Sequence, residues 1–116
     1  MTTLYIAGPM TSMPDLNYPQ FFVAAAQLRR AGFTVLNPAE NEAPNENPSW
    51  SDWMRLALAQ LVQADGIALL QGWRESRGAQ LEKELAVDLG LQLGTVPNWL
   101  TKASNEAHME RLGVRV

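Results

Sequence analysis

The stretch GWRESRGAQLEKELA, Gly72 to Ala86, holds the glutamates Glu75, Glu82 and Glu84. A carboxylate withdrawn from bulk water and aimed at a ligand can act as a nucleophile or as a proton donor and acceptor. Helical spacing separates these three candidates. Glu82 shares a stripe with Gly78, Ala79, Leu85, Ala86 and Leu89, which is the apolar face. Glu84 shares its face with Gln80 and Asp88, and Glu75 lies in the preceding turn. Glu82 is therefore expected to point toward a core near the start of its helix, and Glu84 toward water. Burying an unpaired charge costs several kcal/mol, so Glu82 needs a partner. It is either a structural glutamate paired locally or a functional one. Burial would raise its pKa and the helix N-terminus would oppose the rise.

The elements that must position these residues follow from the apolar runs. TLYIA (Thr3 to Ala7) reads as a buried strand ended by Gly8-Pro9. Met10 to Asn17 is a loop. A helix starts near Asn17 and Pro19, buries Phe21, Ala24, Ala25 and Leu28, and is closed by Gly32 after about Ala31. Phe33 to Leu36 is a second strand. Asn37 to Ser49, NPAENEAPNENPS, is polar and proline-rich, and a loop of this length in a compact domain is usually functional or mobile. With Ser51 as N-cap, a helix runs to about Gln63. Trp53, Met54, Leu56, Ala57, Leu58, Leu61 and Val62 cover most of its circumference, so it is expected to be buried on more than one side, in part by a second subunit. Gly66 to Leu70 is a third strand, Gln71 to Arg77 a turn, and the Glu82 helix runs to about Leu89 with Gly90 as cap. Leu91 to Val96 is a fourth strand, and Thr101 to Leu112 a C-terminal helix.

Strands that are continuous apolar runs, alternating with helices, predict an α/β fold. The expected architecture is a doubly wound, flavodoxin- or Rossmann-like parallel sheet of four to five strands with helices on both faces, in a single domain over residues 1–116. Ligands on such sheets bind beyond the carboxyl ends of the strands. Those ends are Gly8 to Thr11, Asn37 to Ala39, and Gln71 to Ser76. Gly8 would let a ligand approach the backbone. Trp73 is either core or a wall on which a base stacks. Asp65 falls at the opposite, amino edge. Glu40, Glu42 and Glu46 read as loop charges.

Composition narrows the function classes. With 47% hydrophobic residues the chain is an ordinary globular domain. Nine Lys and Arg are dispersed among twelve Asp and Glu, for a net charge of −3, so no basic patch suits a nucleic acid polymer or an anionic membrane. There is no cysteine, which removes disulfides and thiol chemistry and fits a reducing compartment. His108 is the one histidine, so a histidine triad or zinc cluster is not expected, and no metal is called for. MTTLYIAGPM has neither the basic start nor the apolar length of a signal peptide, and no stretch approaches a membrane span. The expected location is the cytoplasm. There is no G-x-G-x-x-G or Walker loop.

Three segments together, LYIAGPMT, NPAE after the second strand and GWRESRGAQLEKELA, resemble the small phage and bacterial proteins of uncharacterised function related to nucleoside 2-deoxyribosyltransferases. The resemblance spans about Leu4 to Val96. It implies a nucleoside or nucleotide pocket at the strand ends and no cofactor. It also implies a homodimer or higher oligomer whose neighbour closes the pocket. Members of the wider superfamily attack C1′ of deoxyribose with a glutamate in a Gly-x-x-x-Glu stretch. Gly78 to Glu82 matches that stretch, which gives Glu82 the nucleophile's role. Gly8, Pro9 and Met10 would line sugar or phosphate. Asn37, Pro38, Trp73, Ser76 and Gly78 complete the implied substrate-binding set, with Ser76 matching a phosphate-holding position of the 5′-monophosphate N-glycosidase branch. Relatives often carry an acid that assists the departing base, at a position that here falls on Ala57. Asp52 is five residues away on the helix, about 140° around it, and does not simply substitute. The implied activity is N-glycosidic cleavage or base exchange on a deoxynucleoside or its 5′-monophosphate. The alternative is a catalytically silent protein that binds a nucleotide or nucleotide signal, which in a phage would sequester a host defence signal.

Overall fold

The computed structural model describes residues Thr2–Val114. Four strands, β1 (Thr3–Ala7), β2 (Thr34–Leu36), β3 (Gly66–Leu69) and β4 (Gln92–Thr95), form one parallel sheet in the order β2-β1-β3-β4. β1 sits in the middle, with Tyr5 in register with Leu36 on one side and Ile67 on the other. Because the chain leaves β1 for β2 on one side and returns to β3 on the other, the order reverses between β1 and β3. In open α/β sheets that reversal opens a crevice at the carboxyl ends.

The pleat of β1 divides the core. Leu4 and Ile6, with Ala68 and Leu70 beside them, pack against α1 (Tyr18–Arg30) and α4 (Val96–Arg111) through Phe21, Ala24, Ala25, Leu28, Val96 and Trp99. Tyr5 and Ala7, with Ile67 and Leu69, face α2 (Trp50–Leu61) and α3 (Arg77–Asp88) through Ala57, Leu61, Ala79 and Ala86. Helices thus cover both faces, as the unbroken apolar strands require. Trp99 is tied to the sheet, since its indole N–H donates to the Ile67 carbonyl at 2.9 Å.

The helix starts differ from the sequence-based expectation in two places. Ser49, not Ser51, caps α2. Its hydroxyl accepts from the Asp52 N–H and the Asp52 carboxylate accepts from the Ser49 N–H, a reciprocal capping box. α4 begins at Val96, inside what reads as the end of the fourth strand. A second box, Thr95 with Asn98, and Pro97 in the first turn stop the strand and start the helix. The loop after β1 contains a 3-10 turn, Pro14–Asn17, in which Asp15, Leu16 and Asn17 have φ of 52°, 54° and 60°. Left-handed conformations are costly for non-glycine residues. Asn17 helps hold this one, its side-chain amide donating to the Pro9 carbonyl at 2.9 Å and to Gln20 at 2.8 Å.

Candidate functional site

β1 carries Tyr5 and Gly8 to the crevice. Gly8 is dictated by packing: a Cβ there would stand 2.7 Å from Leu70 Cβ, so only glycine lets the ends of β1 and β3 approach this closely. After β3 the chain turns, and Ser76 caps α3 with its hydroxyl accepting from the Ala79 N–H at 3.2 Å. That cap starts the helix beside the crevice. One turn and a half later Glu82 falls on the face that Ala79 and Ala86 bury against the sheet.

A cavity of about 200 Å³ opens there. β1 and the segment after it contribute Tyr5, Ile6, Gly8, Met10 and Thr11, and α3 contributes Ser76, Gly78, Ala79 and Glu82. Trp50, Trp53, Met54 and Ala57 come from α2, Leu16 from the 3-10 turn after β1, Tyr18 and Phe21 from the start of α1, and Pro38 and Asn41 from the loop after β2. Met54 and α3 meet closely, since a Cβ on Gly78 would lie 3.3 Å from the Met54 sulfur.

Glu82 is 5% exposed and Tyr5 1%, and the Tyr5 hydroxyl donates to Glu82 Oε2. Burial pushes the Glu82 carboxyl up to about 7, and the Tyr5 hydrogen bond acts against that rise. Burial, reinforced by the neighbouring carboxylate, holds the Tyr5 phenol well above its ordinary range. The pair is therefore a phenol that keeps its proton and a carboxyl poised near neutrality. A carboxyl so poised is competent as a nucleophile or a proton carrier at neutral pH.

Of the residues singled out in the sequence, Gly8, Met10, Pro38, Ser76, Gly78 and Glu82 are brought together in this cavity. Pro9, Asn37 and Trp73 are not among its lining residues. Pro9 lies over Gly72, 3.2 Å from where a Cβ would stand. Trp73 packs against the core on the α2 and α3 side, with the Arg74 guanidinium 4.8 Å from its ring centre. Asn37 is buried, and its Oδ1 accepts from the Ala39 N–H at 3.1 Å. That bond fixes the amide orientation and leaves Nδ2 buried without a protein partner. Glu75 and Glu84 are exposed. Asp65 accepts from the Thr3 N–H at 2.8 Å, at the amino edge of the sheet. Glu40 pairs with Arg29 at 2.8 Å on the surface.

Sequence reasoning did not single out Tyr5, Trp50, Asn41 or the α1 aromatics for the site. Tyr5 sits inside an apolar strand and its partner lies 77 positions away, so spacing carried no signal. Asn41 forms a reciprocal amide pair with Gln60, at 2.7 and 2.8 Å, which joins the loop after β2 to α2. Among the described residues no group of three or more His, Cys, Asp or Glu could hold a metal ion, and no helix is long and apolar enough to cross a membrane.

Fold and site together define a doubly wound α/β domain with a buried carboxyl at the sheet's crevice. The chain belongs to the family described as Domain of unknown function (DUF4406), whose profile matches residues 2–95. Solved structures share its fold. One is a 2-deoxyribosyltransferase from the psychrotolerant bacterium Bacillus psychrosaccharolyticus, 23% identical, with a TM-score of 0.64 over 78% of this chain and 69% of that one. Another is a conserved protein from Enterococcus faecalis V583, 27% identical, with a TM-score of 0.61 over 80% of this chain. The match spans 61% of the Enterococcus protein's length. No curated protein matches the chain.

Proposed function

We propose that the protein cleaves or exchanges the N-glycosidic bond of a deoxynucleoside or deoxynucleoside 5′-monophosphate, with Glu82 as nucleophile on C1′. The observation that carries this reading is the Glu82 carboxyl itself, buried, held by the Tyr5 hydroxyl and lining the cavity at the β1/β3 crevice. The fold shared with a 2-deoxyribosyltransferase supports the substrate class. Trp53 and Tyr18 offer rings on which a base can stack, and Ser76 offers a hydroxyl for sugar or phosphate. Attack by Glu82 forms a glycosyl-enzyme ester, which water or a second base resolves with retention at C1′. The reading includes a homo-oligomer as the working form.

The second reading is a silent binding protein for a nucleotide or nucleotide-derived signal. It is favoured by Glu82 being the one carboxyl that lines the cavity among the described residues, with Ala57 on the wall contributed by α2. The purified protein incubated with a panel of nucleosides and 5′-monophosphates, with free base followed by chromatography, tests both. The enzymatic reading expects base release that Glu82→Gln reduces by at least about 10³-fold with the fold intact. Glu84→Gln, which neutralises an exposed charge, keeps the wild-type rate. A binding protein releases no base, and Glu82→Gln then weakens its affinity by about 10- to 100-fold, the worth of one charge-assisted hydrogen bond. Full turnover by Glu82→Gln contradicts the nucleophile assignment.

A further inference from the structure

We infer that the preferred substrates of this cavity are N-glycosides whose leaving ring carries its own positive charge, of the pyridinium type, over the neutral purine and pyrimidine nucleosides. The inference rests on the N-glycosidic reading of Glu82 and narrows its substrate class.

A neutral nucleobase leaves C1′ as an anion unless something protonates it, and a positioned acid is typically worth 10²–10⁴-fold. Among the described residues lining the cavity, Glu82 is the one carboxyl, and no Lys, Arg or His lines it. If Glu82 attacks, it cannot also protonate the base. Tyr5 already donates its hydroxyl to Glu82. Two acids on elements that line the cavity, Asp52 and Glu40, are committed elsewhere. The Asp52 carboxylate accepts from the Ser49 N–H at 2.9 Å and from Asn45 at 3.1 Å, and Glu40 is paired with Arg29 at 2.8 Å. The hydroxyls of Thr11, Tyr18 and Ser76 can donate hydrogen bonds but belong to weakly acidic classes.

A pyridinium leaving group needs no acid. Glu82 attacks C1′ as the C1′–N bond breaks, the electron pair of that bond returns to the ring nitrogen and cancels its charge, and the neutral ring departs. Water then attacks C1′, the bond to Glu82 breaks and restores the carboxylate, and one proton passes to solvent. The sum is a cationic glycoside and water giving a neutral ring, a free sugar and a proton. The cavity also suits a cation. Its aromatic lining offers cation–π contact from Trp53, Tyr18 and Phe21, while the Arg77 guanidinium, 3.8 Å from the Trp50 ring centre, takes one face of that ring. A cationic ring beside Glu82 further favours the ionised, nucleophilic form of the carboxyl.

The test uses the full chain, with nicotinamide riboside and nicotinamide 2′-deoxyriboside as pyridinium probes, and inosine and 2′-deoxyinosine as neutral ones. Free ring is measured by chromatography for wild type and Glu82→Gln. For each sugar, the expected kcat/KM on the pyridinium probe exceeds that on the neutral one by at least about 100-fold, the lower bound of the missing acid's contribution. Glu82→Gln loses the activity. Neutral substrates cleaved within about tenfold of the pyridinium ones, and still dependent on Glu82, would overturn this inference and leave the N-glycosidic reading standing. Cleavage of neither class would overturn this inference, and cleavage that survives Glu82→Gln would overturn both it and the nucleophile's role of Glu82.

Discussion

At the scale of single residues the chemistry turns on how Glu82 ionises. The folded chain raises this carboxyl from 4.5 to about 7, chiefly by burial. Below about pH 4.5 the group is protonated in both the folded and the unfolded chain and costs nothing. Between about 4.5 and 7 the unfolded chain releases the proton while the folded one keeps it, so stability falls as pH rises through that window. The full loss is about 3 kcal/mol, and it is constant above the window. Chemical denaturation across this range should therefore show a decline in wild type that Glu82→Gln flattens. Tyr5→Phe should extend the decline above pH 7, because the Tyr5 hydrogen bond is what lowers the Glu82 value. An unchanged slope in Glu82→Gln would mean that the carboxyl is solvated. That Glu82 belongs to an apolar stripe was legible from spacing with Ala79 and Ala86. Its partner was not, because a tyrosine on a core strand looks like any other buried aromatic until the strand and helix are brought together.

At the scale of elements, the strands and α3 could be read because each combines an apolar run with a local stop, such as Gly90 after the Glu82 helix or Gly8-Pro9 after β1. The start of α4 could not be read the same way, although its signals were present. Thr95 and Val96 are β-branched and continue the look of a strand, while the Thr95–Asn98 box depends on a side chain three residues on. α2 illustrates a different limit. Its apolar circumference was expected to need a second subunit. In the structure Ala57 and Leu61 meet the sheet side, while Trp53 and Met54 line the cavity, so part of that surface faces the cavity rather than a partner. Pattern alone cannot distinguish a face turned to a cavity from one turned to a partner. Val62 at 53% exposure, Leu81, Leu89 and Leu93 on α3, its end and β4, and Phe22 and Val23 on α1 belong to the apolar surface that remains exposed. We expect it to be covered in a homo-oligomer. Light scattering should give at least twice the 12.8 kDa of the chain at micromolar concentration, and a mass near 12.8 kDa throughout would contradict this.

At the scale of the whole molecule, one topological reversal organises everything that the site needs. The order β2-β1-β3-β4 opens the crevice between β1 and β3, β1 delivers Tyr5 to it, and α3, starting just after β3, delivers Glu82. The parallel fold was legible because unbroken apolar strands alternate with helices. The lining from α1, α2 and the loop after β2 was not, because it depends on how separate elements pack rather than on any local pattern. The central claim is that this arrangement makes Glu82 a nucleophile that becomes covalently glycosylated. Intact-mass spectrometry after incubation with a 2′-deoxy-2′-fluoro nucleoside substrate addresses it directly, since an electron-withdrawing fluorine slows breakdown of a glycosyl ester. The account predicts a protein heavier by one fluorosugar residue, the added mass mapping to Glu82 and absent from Glu82→Gln. Base release with no adduct on Glu82, or an adduct that persists in Glu82→Gln, would contradict it.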